Sequence, residues 1–280
     1  MTGRRYLFPN VIELNRQAGH RIGVNVYLIE DAGEFVLIDV GYEDAVDEIV
    51  DLVRRMDFPL SACKLLVATH ADVDHSQGLA KAKEVFKAPV GCHPSCAEDL
   101  ATGDKETTFA RIRAQNIDIT MPKVKAERML NDGDAIEVGK LKIQVWNTPG
   151  HAPGQLAFKL RNLLFVGDNI YKDGSVGVID AHHGSHLPDF VASLKRIKAD
   201  DAEFWLPSHG PVFKRDDALI QGTIDRLTGY QHLADFGTCA VDWPLLREWD
   251  QEIEEAGEGM AVTSFESDST KKNRLKGALS

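Results

Sequence analysis

The densest group of reactive side chains in this sequence is the run HADVDH at positions 70 to 75. It places two imidazoles and two carboxylates, from His70, Asp72, Asp74 and His75, directly after the apolar run LLVAT. Histidine and aspartate side chains transfer protons and bind metal ions, and a rigid strand end is where a fold commonly presents them. The run therefore predicts a chemical site at the end of a buried strand.

Three later positions share this context. His151 follows IQVWNTPG, Asp168 follows LLFVG, and His209 follows FWLPS. A single histidine or aspartate in a turn is most often a solvated or capping residue. The recurrence of the same context favours a common functional site over that interpretation.

The apolar pattern predicts the elements that position these residues. Paired strands are predicted at 24–30 and 35–41, and a helix with one apolar face at 43–56. Four short strands follow, with the sequences DAIEV, LKIQVWN, QLAFKL and NLLFVGD. Residues 103–127 are polar and irregular, which predicts a loop or a loosely helical insert near a pocket mouth. Two strand-rich halves with helices outside predict a sandwich of two sheets.

Composition limits the class of protein. With 43% apolar and 27% charged residues, the chain resembles an ordinary soluble globular protein. A net charge of −11 argues against nucleic acid or an anionic membrane as partner. No apolar run approaches the roughly 20 residues that span a bilayer. Nothing resembling a signal peptide precedes the first strand. The four cysteines, Cys63, Cys92, Cys96 and Cys239, do not have the spacing of a disulfide framework. Both observations predict a reduced cytoplasmic enzyme.

The length of 280 residues suits one large domain or a domain with an extension. We predict a catalytic domain over 1–215 and a C-terminal helical extension with a polar tail over 216–280. The extension contains two helical patterns, at 217–236 and 243–256. It could cover the pocket or form the interface of a homodimer, and the sequence does not decide between them.

These motifs resemble those of the metallo-β-lactamase superfamily. Its signature is H-x-H-x-D-H, then T-P-G-H, a strand ending in G-D, and a final G-H-G or S-H-G segment. The matching segments here are HADVDH, TPGH (148–151), VGD (166–168) and PSHGP (207–211), and the resemblance covers about residues 6–215. It implies an α/β fold, a four-layer αββα sandwich of two mixed β-sheets flanked by helices, with a metal site at one edge.

The resemblance also implies a site for two divalent metal ions. The seven implied ligands form two sets joined by a shared carboxylate: His70, Asp72 and His151; Asp74, His75 and His209; and Asp168 between them. Two divalent ions about 3.5 to 4 Å apart can share a hydroxide that attacks a polarised bond. We therefore expect a hydrolase that cleaves an ester, lactone or thioester bond of a small molecule.

Asp72 departs from the family pattern, which usually has histidine at this position. A carboxylate adds one negative charge and a hard oxygen ligand, which favours iron or manganese relative to zinc. With Asp72, two divalent ions, three carboxylates and one hydroxide sum to a neutral cluster. We expect zinc, with iron and manganese as alternatives.

Two other function classes stay open. The acidic residue at position 72 is similar to the glutamate in the H-x-E-x-D-H motif of the superfamily's di-iron branches. His70, His151 and Asp168 form a two-histidine, one-carboxylate set suited to a single non-haem iron, and this set resembles the one-iron site of the superfamily's persulfide dioxygenases. An iron-dependent oxidoreductase or dioxygenase is thus the alternative, and a non-enzymatic sensor with structural metals is the third possibility.

The candidate catalytic residues are Asp74, Tyr171 and His183. Tyr171 lies three residues after the G-D motif, where similar N-acyl homoserine lactonases have a tyrosine that aids the oxyanion and leaving group. The segment AHHGSH (181–186) contains His182, His183 and His186, which could contact substrate, donate a proton or hydrogen-bond to a ligand. The alternatives are a packing tyrosine and a solvated polar loop.

Overall fold

The computed structural model describes residues 3–233 and, beyond them, only positions 248 and 251. The strands in chain order are β1 (Val11–Glu13), β2 (Tyr27–Asp31), β3 (Glu34–Ile38), β4 (Cys63–Val67), β5 (Val90–Cys92), β6 (Arg111–Ile112), β7 (Ile117–Asp118), β8 (Arg128–Met129), β9 (Ala135–Val138), β10 (Leu141–Asn147), β11 (Leu156–Leu160), β12 (Leu163–Gly167), β13 (Phe204–Pro207) and β14 (Phe213–Lys214). The helices are α1 (Leu14–Ala18), α2 (Ala45–Arg55), α3 (Val73–Ser76), α4 (Leu79–Phe86), α5 (Pro94–Thr102), α6 (Leu187–Ala199) and α7 (Asp217–Tyr230).

Within the described residues the strands form two six-stranded mixed sheets and one small hairpin. The first sheet has the order β1-β2-β3-β4-β5-β8, antiparallel up to β3 and parallel from β3 to β8. The second has the order β14-β13-β12-β11-β10-β9, with β12 and β13 as its parallel pair. β6 and β7 pair with each other inside the segment 103–127 that we predicted as a loop or helical insert.

Three apolar clusters separate four layers, which confirms the predicted αββα sandwich. In β4, Leu65 and Val67 face the second sheet, whereas Leu66 packs with the helices of the first layer. In β12, Phe165 faces the first sheet and Leu164 packs under α6 and α7. Strands buried on both faces need an apolar residue at every position, which explains their unbroken apolar runs.

The parallel strand pairs bring the reactive residues to one edge. β3 and β4 run in the same direction, and Asp39 and His70 follow their carboxyl ends. β12 and β13 are also parallel, and Asp168 and His209 follow them. His151 lies in the loop between β10 and β11. The carboxyl ends of parallel strands are a common place for ligand sites in α/β folds.

The first helix of the predicted extension is α7, which buries Ile220, Ile224 and Leu227 in the same cluster as α6. The second helical pattern, at 243–256, lies outside the described residues except for positions 248 and 251. The domain boundary at 215 stays a prediction. No helix in the described part of the chain combines the length and apolar character needed to cross a membrane.

Candidate metal centre

The first of two ligand clusters, called the closed cluster here, is almost fully buried. Nε2 of His151 lies 3.2 Å from Nε2 of His70 and 3.1 Å from Oδ2 of Asp72. Nε2 of His70 lies 3.5 Å from the same Asp72 oxygen. None of the three residues is more than 5% exposed. Their ligand atoms therefore converge on one shielded point.

The second cluster opens to solvent. Nε2 of His209 lies 3.2 Å from Nε2 of His75 and 3.2 Å from Oδ2 of Asp74. The His75 side chain is fully buried, whereas those of Asp74 and His209 are 32% and 40% exposed. Water and small molecules can therefore reach this cluster directly.

Asp168 lies between the two clusters. Its Oδ2 is 3.6 Å from Nε2 of His75, 3.6 Å from Nε2 of His209 and 3.9 Å from Nε2 of His151. Its Oδ1 is buried and has no hydrogen-bond partner among the described residues. A buried carboxylate oxygen without a partner is costly unless a further group, such as a metal ion, binds it.

The spacing of the ligand atoms fits metal ions. In a tetrahedral zinc site with Zn–N bonds of about 2.0–2.1 Å, neighbouring ligand nitrogens lie about 3.3–3.4 Å apart. The imidazole pairs His70–His151 and His75–His209 are both 3.2 Å apart at Nε2. Three nitrogen and oxygen donors in each cluster, with Asp168 shared, could hold two divalent ions.

Three of these histidines are oriented by a hydrogen bond at the other ring nitrogen, which fixes the direction of the ligand atom. The pairs are His70 Nδ1 with Thr69 Oγ1 at 2.9 Å, His75 Nδ1 with Asp39 Oδ2 at 3.0 Å, and His151 Nδ1 with the Val178 carbonyl at 2.7 Å.

Asp39 was missed by the sequence reasoning. It is fully buried, accepts from the Thr69 backbone N–H at 2.8 Å and the Thr69 hydroxyl at 2.9 Å, and lies behind His75. Its backbone is in the left-handed region, with φ of 59°. The available signal was its position directly after the β3 strand, the same context that identified His70.

Opposite charges stabilise each other in the site. Burial would lower the pKa of His75, but the carboxylates of Asp74 and Asp168 hold it well above its usual value. Burial would likewise lower the pKa of His151, yet Asp72 raises it to about 9. The pKa values of Asp72 and Asp168 are held low by the neighbouring imidazoles, against the effect of burial.

Tyr171 lies beside the open cluster. Its ring centroid is 5.9 Å from that of His209. Burial and the Asp168 charge raise the pKa of Tyr171, so the phenol keeps its proton and can donate a hydrogen bond.

The three histidines of the segment AHHGSH have different surroundings. His183 is buried, and its Nε2 lies 2.9 Å from Oδ1 of Asp72. The His182 side chain is 81% exposed and lies beside Asp180, and that of His186 is 50% exposed and pairs with an aspartate of α6. The structure thus brings His183 to the candidate metal centre and leaves His182 and His186 at the surface.

A cavity of about 560 Å³ lies over the two clusters. Metal-ligand candidates and Tyr171 line one side of it. Its apolar wall is formed by residues of the β6–β7 hairpin region and of the loop after β12: Phe109, Ile112, Ile117, Ile119, Val176 and Val178.

Comparison with known proteins agrees with the fold. The family profile described as the metallo-beta-lactamase superfamily matches residues 21–209. Human acyl-coenzyme A thioesterase MBLAC2 is 30% identical over 208 residues, covering 65% of this chain and 68% of that protein. The probable polyketide biosynthesis zinc-dependent hydrolase BaeB of Bacillus velezensis is 26% identical over 187 residues, covering 67% and 70%.

Among solved structures, the subclass B3 metallo-β-lactamase BJP-1 of Bradyrhizobium japonicum superposes with a TM-score of 0.63 at 19% identity. The match covers 93% of this chain and 98% of that one, and it shows a shared fold. The chain belongs to the metallo-β-lactamase superfamily.

Proposed function

We propose that the protein is a metal-dependent hydrolase that cleaves ester or thioester bonds, lactones included, in small molecules with an apolar acyl group. The observation that carries this proposal is the pair of ligand clusters, joined by Asp168, beside a cavity with an apolar wall. The relatives named as a thioesterase and as a zinc-dependent hydrolase support the same reaction class.

Each group then has a task. Two divalent ions, held by the two clusters and Asp168, would lower the pKa of a bound water molecule and polarise the carbonyl group of the substrate. The Tyr171 phenol, which keeps its proton, can donate a hydrogen bond to the carbonyl oxygen as negative charge develops there. The partly exposed carboxylate of Asp74 can accept the proton that the attacking water loses.

The cavity also favours certain acyl groups. Its apolar wall would bury a hydrocarbon chain, and each buried methylene contributes about 0.8 kcal/mol. With two divalent ions and a hydroxide bound, the carboxylates of Asp72, Asp74 and Asp168 would sum to a neutral cluster, so the metals would offer little attraction to an anion. Asp180 adds one more carboxylate to the cavity lining. A negatively charged acyl group would therefore be disfavoured, and we propose neutral acyl substrates with zinc as the metal.

The test is hydrolysis by protein stripped with a chelator and reloaded with zinc, manganese or ferrous iron. Neutral acyl thioesters, esters and lactones with chains of increasing length are the substrates. We expect no turnover without metal, recovery with zinc, and kcat/KM rising about fourfold per methylene until the wall is covered. His20→Asn is the matched control, because His20 pairs with Glu48 on the surface. Absence of hydrolysis with every metal would contradict the proposal.

A second candidate is an iron-dependent oxidoreductase. His70, Asp72 and His151 form a two-histidine, one-carboxylate cluster, which suits non-haem iron. It requires iron in the protein as isolated and oxygen consumption with substrate. Full activity with zinc alone would exclude it.

A further inference from the structure

Asp72 uses its two carboxylate oxygens for different partners. Oδ2 faces Nε2 of His151 at 3.1 Å and Nε2 of His70 at 3.5 Å. Oδ1 faces Nε2 of His183 at 2.9 Å. A carboxylate can only accept, so His183 carries its proton on Nε2 and donates it to Oδ1.

Packing holds the His183 ring in this place. Its ring centroid lies 3.6 Å from that of Phe109, with the planes tilted by 30°. Phe109 has φ of 54°, a left-handed conformation that is rare for a bulky residue and that is retained only where the surroundings enforce it. Strain at Phe109 therefore coincides with the contact that fixes His183.

The other ring nitrogen of His183, Nδ1, has no partner in the described part of the chain that competes with the bond from Nε2 to Asp72. Nδ1 of His183 is buried and has no hydrogen-bond partner among the described residues. A cavity of about 70 Å³, lined by His183, Asp99 and Thr107 among others, has room for a water molecule there. Among the described residues, the bond to Asp72 is therefore the hydrogen bond that orients the ring, together with the packing of Phe109.

The two halves of the centre use the same chemical pair in opposite order. In the open cluster the imidazole of His75 faces the position where a metal ion would bind, and the carboxylate of Asp39 lies behind the imidazole at 3.0 Å. In the closed cluster the carboxylate of Asp72 faces the position where a metal ion would bind, and the imidazole of His183 lies behind the carboxylate at 2.9 Å.

We propose that His183 is a positioning residue that restricts Asp72 to one metal-binding oxygen, so that the Asp72–His183 pair replaces the histidine usual at position 72 and keeps the closed position selective for zinc over manganese. A free aspartate could bind through both oxygens, which suits ions with more oxygen ligands. The His183 N–H occupies Oδ1 and leaves only Oδ2. This inference concerns metal choice and does not depend on which bond the enzyme cleaves.

The test is metal competition in the full-length protein. Zinc-loaded protein is equilibrated with excess manganese, and both metals are counted per chain. In His183→Phe, which keeps a ring against Phe109 but removes the donor, we expect one ion per chain to lose zinc preference by about 10- to 100-fold. The ion in the open position serves as the internal control and keeps its preference. His183→Gln, whose amide can donate to Oδ1, should restore most of the preference.

Cobalt provides a readout that does not need turnover. Four-coordinate cobalt absorbs visible light more strongly than six-coordinate cobalt, so His183→Phe should weaken the absorption of one of two bound cobalt ions. If His183→Phe does not fold, Phe109→Leu, which removes the stacking ring, should show a smaller shift in the same direction. Unchanged competition and cobalt spectra in a folded variant would overturn the proposal, as would a His183→Gln protein that behaves like His183→Phe.

Discussion

The two halves of the candidate metal centre differ in access as well as in the order of their side-chain pairs. His70, Asp72 and His151 are almost fully buried, whereas Asp74 and His209 are about a third exposed. A buried ligand set exchanges its ion slowly with solvent, and an exposed set lets water and substrate approach. We therefore expect the closed half to retain its ion and the open half to admit the substrate and water.

The largest effect is expected where the two halves meet. Asp168→Asn removes a charge that both clusters share, so both ions should bind more weakly. Because metal polarisation contributes several kcal/mol to such reactions, kcat/KM should fall roughly a thousandfold or more. Elemental analysis together with ester hydrolysis measures both effects. Asp51→Asn, a surface change beside Arg54, is the control, and normal metal content in Asp168→Asn would refute a shared ligand.

The open half should depend on Asp39. Asp39→Asn keeps the size of the side chain but places either an amide group or an uncharged oxygen behind His75. We expect about a 10- to 100-fold loss of affinity for one ion and a loss of about 1–3 kcal/mol in the free energy of unfolding. Zinc titration and chemical denaturation measure these. Asp44→Asn, at an exposed position without a capping bond, should change neither. An Asp39→Asn protein that loses the buried ion instead would reverse the comparison.

The metal-free protein should show a defined pH dependence. The pKa values of His75 and His151 are raised in the folded protein, that of His151 to about 9. The protonated imidazoles therefore stabilise the fold fully below about pH 6.5, and this stabilisation is lost as the pH rises through their pKa values in the folded protein. The pKa values of Asp72 and Asp168 are lowered in the folded protein. Their ionised carboxylates therefore stabilise the fold above about pH 4, and this stabilisation is lost as the pH falls through their pKa values in the folded protein.

Stripped protein should therefore be most stable between about pH 4 and 6.5, and zinc binding should release protons and strengthen as pH rises. Thermal unfolding of stripped and zinc-loaded protein across pH 4 to 10 measures this. Identical pH profiles for the two forms would show that the imidazoles and carboxylates do not interact in this way.

The smallest effect is expected at the apolar wall. Ile117→Ala should reduce kcat/KM for a long neutral acyl chain by roughly 5- to 20-fold, because it removes about 1–2 kcal/mol of contact. An acetyl ester, too short to reach the wall, should react as before. Equal losses for both substrates would indicate general damage to the site.

The sequence predicted the parts of this centre that depend on strand ends. His70, Asp168 and His209 each follow an apolar strand, and parallel pairing brings such ends to one edge. The same logic extends to Asp39, but its role depends on a bond to the His75 imidazole, which the short helix α3 presents. Such a contact needs the register and twist of the sheet, which a single sequence does not specify.

Loop residues were harder to predict for a related reason. The segment AHHGSH offers three histidines, and only the turn Ala181–His183 and the position of Phe109 direct His183 inward. The insert 103–127 has a polar composition, yet four of its apolar residues line the cavity, whereas others, such as Met121 and Val124, pack in the core. In both segments irregular backbone geometry decides which side chains face the site, and no periodic pattern reports it.

Stepwise zinc loading of stripped protein, with hydrolysis of a neutral acyl thioester measured at each step, tests the two-half metal centre most directly. The closed half should fill first with little turnover, and activity should appear as the second zinc ion binds. Full activity with one zinc ion per chain, or with none, would contradict a reaction that needs both halves.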